Sequence, residues 1–180
     1  KNAAAYSVFA NGGKAVEPYF IEKIKDRSGN VVFEREQKDL KQVIDPRIAF
    51  LITDILQEAS VRGTARRVSE LQRSDFAGKT GTTNDAESTW FTGYNSSLVT
   101  TVWVGFDQPR SLGNREFGSS VALPIWLSFI EKIVDKIPVK NILPPKGLSI
   151  IKIDKSTGQR ADEETKNPIF EYYLEEYTPD

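Results

Sequence analysis

Three strand-forming stretches follow one another through the middle of this chain, at 76–80, 90–94 and 98–106, the last two rich in aromatic and β-branched residues, and they commit it to a sheet. Asn95-Ser96-Ser97 is the whole connection between the second and the third. A link that short cannot carry a crossover, so those two strands must run antiparallel. Helices are written on either side. Asp45 offers a carboxylate as N-cap, and Pro46 takes the first helical position, where its missing N–H is no loss. Ile48, Leu51, Ile52, Ile55, Leu56 and Ala59 then recur at helical spacing, predicting a core helix that ends near Arg62-Gly63-Thr64. Leu123-Pro124 opens a second amphipathic helix, carried by Ile125, Trp126, Phe129, Ile130 and Ile133 to about Lys136 and expected to pack on the sheet. Near the start, a helix over 3–10 is stopped by Asn11-Gly12-Gly13. Asp26-Arg27-Ser28-Gly29-Asn30 then turns a hairpin between 19–26 and 31–34. A second small hairpin is expected at 148–153 and 159–161, turning at 155–158, ahead of an acidic, aromatic and mostly extended tail. The class is α+β, with an antiparallel sheet of about five strands flanked by helices.

Composition narrows the chemistry. The chain holds no His and no Cys, which excludes disulfides, thiol nucleophiles, imidazole bases and the usual zinc ligands. Catalysis here must use Ser, Thr, Lys, Tyr or carboxylates, and Lys is the natural base without His. No metal and no cofactor are expected. A net charge of -1 with no long basic run gives no electrostatic footprint for nucleic acid or an anionic lipid surface. The longest apolar stretch, 121–134, is interrupted by Pro124, Glu131 and Lys132, too short and too polar to span a bilayer. With no Met anywhere and Lys1 first, the chain is expected to be a cut or processed piece of a longer protein.

The chemistry concentrates in Lys79-Thr80-Gly81-Thr82-Thr83. On an extended strand alternate side chains share a face, so Thr80 and Thr82 point one way while Lys79 and Gly81 point the other. Two neighbouring hydroxyls can hold a substrate carboxylate, with Lys79 adding positive charge close by. Gly81 lets the strand press against a neighbouring element. A free strand edge could pair with an extended peptide, and the Thr82 N–H could meet a developing oxyanion. Trp90, Phe91, Tyr94, Trp103 and Trp126 are expected in a sheet–helix core. Asn84 and Asp85 read as a turn, and Arg115 and Glu116 as loop residues with no assigned role.

The run Ala77-Gly78-Lys79-Thr80-Gly81-Thr82-Thr83-Asn84-Asp85, followed by Trp90-Phe91-Thr92-Gly93-Tyr94 and Val102-Trp103-Val104-Gly105-Phe106-Asp107, resembles the transpeptidase domain of class A penicillin-binding proteins. Phe9-Ala10-Asn11-Gly12-Gly13, Glu17-Pro18-Tyr19 and Arg62-Gly63-Thr64-Ala65 resemble its approach to the motif strand. Arg110-Ser111-Leu112-Gly113 and Ala122-Leu123-Pro124-Ile125-Trp126 resemble its loop and final helix, and the likeness extends more loosely to Ser156-Thr157-Gly158. It implies the sheet-side half of a penicilloyl-serine transferase fold, in which Ser-x-x-Lys and Ser-x-Asn precede Lys-Thr-Gly. Ser149-Ile150-Ile151-Lys152 and Ser28-Gly29-Asn30 spell those patterns, but on a late β segment and in a hairpin turn. The nucleophilic serine is therefore expected upstream of Lys1, and this chain alone is expected to be inactive.

By the same resemblance Lys79 and Thr82 are catalytic, while Thr80, Gly81, Thr82 and Thr83 contact substrate. The implied reaction cross-links peptidoglycan stem peptides through an acyl-serine intermediate that β-lactam antibiotics imitate. The implied partners are the N-terminal part of the same protein, stem peptides and β-lactams. A glycosyltransferase domain and a membrane anchor are implied upstream, placing the protein at the periplasmic or extracytoplasmic face of the bacterial cytoplasmic membrane. Residues 1–137 are read as the C-terminal half of the transpeptidase domain, and 138–180 as an extension. Two other readings remain open here: a non-catalytic module of the same fold that binds peptidoglycan or a partner, and a β-lactamase.

Overall fold

The computed structural model describes residues 1–36 and 39–179. At its centre three antiparallel strands, β3 (Ala77–Thr82), β4 (Ser88–Tyr94) and β5 (Val99–Gly105), lie in the order β3-β4-β5. Their register aligns Gly81 with Trp90 and Trp90 with Trp103. The first strand begins and ends slightly later than predicted, so the whole Lys-Thr-Gly-Thr run is extended backbone.

One face of this sheet carries the main core. α3 (Ala122–Glu131) lays Trp126 across Phe91 and Phe76, with edge-on ring contacts of 5.0 and 5.6 Å. The Trp126 indole N–H donates to Thr100 Oγ1 at 2.6 Å, which satisfies the one polar atom the ring buries. Ala122, Leu123, Leu127, Ile130, Val68 and Ala65 complete the cluster. The opposite face is covered at one end only, by α1 (Asn2–Ala10) and α2 (Pro46–Arg62). There the Tyr94 hydroxyl meets Thr53 Oγ1 at 3.0 Å and its ring meets Tyr6 at 6.1 Å. Burial pushes the Tyr94 phenol up to about 12, so it stays a neutral hydrogen-bonding group.

Several expectations need correcting. The strands do not form one sheet of about five; among the described residues seven strands divide into three antiparallel sheets. β1 (Lys23–Lys25) and β2 (Val31–Glu34) form a separate exposed hairpin. β6 (Leu148–Asp154) pairs along its length with β7 (Pro168–Leu174). The predicted return at 159–161 exists only as a single bridge from Arg160 to Ile153, so the segment read as an extended tail is the true partner strand. Phe170 and Tyr172 alternate along β7, but Glu171 between them and Glu175-Glu176 just after them hid its strand character. Trp90 and Trp103 are not core: Trp103 is 44% exposed, because both rings point from the sheet face that α1 and α2 leave open. α2 begins at the Asp45 cap as predicted, with the Arg47 N–H donating to Asp45 Oδ1 at 2.8 Å. Its buried stripe, however, is Ala49, Phe50, Thr53 and Ser60, whereas Ile55 is 63% exposed. Small residues let the helix sit close to the sheet, while of the predicted aliphatic stripe Ile48 and Ile55 are exposed and Leu51, Ile52 and Leu56 half-buried. α3 stops at Glu131, and a 3-10 turn over Val134–Lys136 finishes the predicted run.

A buried ion pair ties the pieces together. The Arg73 guanidinium grips Asp75 at 2.6 Å and donates to the carbonyls of Val134, Ile137 and Pro138. Asp75 also accepts from the Asn95 amide at 3.0 Å, so the start of β3, the β4–β5 turn and the chain after α3 share one network. The β6–β7 hairpin then docks on α2 through Phe50 against Tyr172 at 4.9 Å and through Arg47 bonded to Glu176 at 2.9 Å.

Candidate active site

β3 pairs with β4 on one side only, so its outer edge is open. The Thr83 N–H donates to Ser88 O at 3.0 Å, toward β4. Backbone groups of successive residues on an antiparallel strand point to opposite sides, so the N–H of Thr82 points to the open edge. The Thr80 carbonyl shares that side, and the Lys79 ammonium donates to it at 2.9 Å. Lys79 and Thr82 are exposed, while Thr80 and Gly81 are half-buried. A strand edge, an ammonium and an N–H thus face outward together.

The two hydroxyls share a face, as period-2 alternation requires, and each has a protein partner. Thr80 Oγ1 lies 2.8 Å from Thr64 Oγ1, brought in by the loop that follows α2. Thr82 Oγ1 accepts the N–H of Gly118 at 3.0 Å. Gly118 is buried on the ladder itself, where an added methyl group would come within 2.6 Å of the carbonyl oxygens of both Gly81 and Trp90. Only glycine fits there, and its N–H takes one lone pair of Thr82, leaving the hydroxyl proton to donate. Thr83 differs from its neighbours. Its hydroxyl accepts from the Ser88 N–H at 2.8 Å and closes the connection to β4.

Sequence reasoning missed Thr64 and Gly118. Thr64 lay inside a quoted motif and Gly118 in the loop between two others, but no local pattern links a loop glycine to a threonine 36 residues away. The other Ser-x-x-Lys and Ser-x-Asn spellings are accounted for locally. Ser28 and Asn30 donate backbone N–H groups to the Asp26 carboxylate at 2.8 and 2.9 Å within the β1–β2 turn. Ser149 and Lys152 lie on β6 at odd and even positions, hence on opposite faces. Among the described residues no cluster of His, Cys, Asp or Glu is placed to hold a metal, and no helix is long and apolar enough to cross a membrane.

Residues 1–131 match the model of the penicillin-binding protein transpeptidase domain. The chain belongs to that family. Penicillin-binding protein 1A of Pseudomonas aeruginosa is 37% identical over 98% of this chain, and penicillin-binding protein 1A of Neisseria lactamica is 43% identical over 81%. Among solved structures, penicillin-binding protein 1A from Haemophilus influenzae covers 99% of the chain at a TM-score of 0.87 and 30% identity. PonA1 from Mycobacterium tuberculosis covers 80% at 0.67 and 27%. The chain spans 28% of the Pseudomonas protein, 19% of the Neisseria protein and 32% of the Haemophilus chain. The antiparallel α+β architecture and the family agree.

Proposed function

We propose that this chain is the C-terminal part of a peptidoglycan D,D-transpeptidase domain and supplies the Lys-Thr-Gly wall of a serine acyl-transfer site. The observation that carries the reading is the open edge of β3, with the Lys79 ammonium and the Thr82 N–H on it. A preceding part of the whole protein supplies the nucleophilic serine and its lysine in Ser-x-x-Lys, together with Ser-x-Asn. The serine attacks the carbonyl of the penultimate D-Ala, its proton passes to the lysine base, and terminal D-Ala departs as the protonated amine. An amine of a neighbouring strand then displaces the serine from the acyl carbon, and the proton it sheds returns to the serine.

Lys79 supports the proton transfers with its charge, and the Thr82 N–H stabilises the oxyanion. Thr80 and Thr82 hold the terminal carboxylate of the donor, Gly81 lets the donor approach the strand, and Thr83 contributes through the turn it closes. β-Lactams acylate the same serine because they resemble the D-Ala-D-Ala end. Residues 1–137 form the transpeptidase part, and 138–180 an extension docked on it. The whole protein also carries glycosyltransferase activity and works at the extracytoplasmic face of the cytoplasmic membrane, held by an anchor outside this chain.

A fluorescent penicillin tests the reading. The complete protein becomes labelled and this chain alone does not; stoichiometric, penicillin-blockable labelling of the isolated chain would overturn the placement of the nucleophile. Lys79→Ala in the complete protein lowers the acylation rate by about 100-fold or more.

A further inference from the structure

α2 packs on β3 and also carries the β6–β7 hairpin. Of the four residues that the helix buries, Ala49, Thr53 and Ser60 are small, and Phe50 alone is large and apolar. The Tyr172 ring of β7 meets Phe50 edge-on at 4.9 Å. One turn earlier, Arg47 Nη1 donates to both carboxylate oxygens of Glu176 at 2.9 Å. Gly147, at φ 88°, brings the base of the hairpin so close that an added methyl group would lie 3.0 Å from Arg47 Cδ. Further along the helix the hairpin meets like charge, because Glu171 lies near Asp54 and Glu58, with Arg62 to offset them. Its hold on α2 is therefore concentrated at Phe50 and Arg47. The strap leading into the hairpin, residues 141–146, has no helix or strand and is mostly exposed, so it lends the hairpin little other support.

The far end of α2 reaches the site. The N–H groups of Gly63 and Ala65 both donate to Ala59 O, at 3.0 and 3.3 Å, which fastens Thr64 to the last helical turn from both sides. A methyl group on Gly63 would come within 2.8 Å of that same carbonyl oxygen, so only glycine makes the turn this tight. Thr64 Oγ1 then meets Thr80 Oγ1 at 2.8 Å. About 21 Å of helix separates Phe50 from Thr64. We propose that Tyr172 and Glu176 are positioning residues for the transpeptidase site: the hairpin braces α2, and α2 passes that restraint to Thr80 through Thr64. The inference rests on the substrate-holding role given above to Thr80. A packed helix transmits a displacement from one end to the other, so loosening the hairpin lets the Thr64 hydroxyl drift from Thr80. The hold on the donor weakens, while Lys79 and the Thr82 N–H stay as they are.

Donor kinetics in the complete protein test this. D-Ala release from a peptide ending in D-Ala-D-Ala is measured per penicillin-titrated site, so neither KM nor kcat depends on the folded fraction. Tyr172→Ala raises KM about 3- to 5-fold with nearly unchanged kcat. Tyr172→Phe keeps the ring against Phe50 and restores KM. In a Thr64→Val background Tyr172→Ala adds little, because both changes release the same hydroxyl. Glu176→Gln, at an exposed position, raises KM about 2-fold and decides the matter if Tyr172→Ala yields no titratable sites. An unchanged KM, a Tyr172→Phe variant that fails to restore it, or full additivity with Thr64→Val overturns the brace and leaves the transpeptidase reading in place. An unmodified complete protein that neither releases D-Ala nor reacts with penicillin sinks that reading and this inference with it.

Discussion

Thr64 and Gly118 stand behind the Lys-Thr-Gly strand and set how its hydroxyls point, which makes them positioning residues in the proposed reaction. Gly118→Ala has no space for its methyl group, so the β3–β4 ladder must shift, and a displacement of this kind can cost about 100-fold in rate. Penicillin acylation of the complete protein measures it. Thr64→Val leaves the bulk of the side chain but releases Thr80 Oγ1, so it is expected to raise KM for carboxylate-bearing donors about 5-fold with little change in kcat. Thr64→Ser restores the hydroxyl and should restore KM; failure of that rescue would make Thr64 a packing residue only. The alternation of Lys79, Thr80, Gly81 and Thr82 was legible in the sequence because period 2 is a local property. Their partners were not, because tertiary approach between distant loops leaves no periodic trace.

Among the elements, α2 and the short run from Arg73 into β3 hold the site's scaffold. Burial alone would push the Asp75 carboxyl up, but the Arg73 guanidinium, the Asn95 amide and the backbone N–H of Lys140 outweigh it and hold Asp75 below its ordinary range. A depressed folded-state pKa stabilises the fold above the unfolded value, about 3.9, and that contribution is lost as pH falls through the lower folded value. Arg73→Leu strands the carboxylate in the core and should lower stability by about 3–5 kcal/mol in urea unfolding at neutral pH. At the hairpin contact the sign reverses. Burial raises the carboxyl of Glu171, and the nearby Asp54 and Glu58 raise it further. Glu171→Gln should therefore raise the melting temperature slightly at neutral pH, with the gain disappearing in acid, where Glu171 is protonated in both states. The cap of α2 could be read from Asp45-Pro46, but its buried face could not. Helical spacing shows where apolar stripes lie, not which stripe meets the sheet, and here Ala49, Thr53 and Ser60 do so ahead of Ile55.

For the molecule as a whole, the class and the motif strand were readable because they rest on short-range signals, whereas the division into three sheets depends on which edges meet in space. Two rims of the central sheet, on β3 and β5, carry no neighbouring strand among the described residues, and Trp103 lies bare on the face between them. The rim assigned to recognise an extended peptide is indifferent to whose backbone fills it. Made by itself at high concentration, the chain is expected to zip copies together along these rims, visible as growing light scattering that added Lys or Pro at β5 suppresses. The open rim that suits the proposed role in peptide recognition is thus also a hazard in storage.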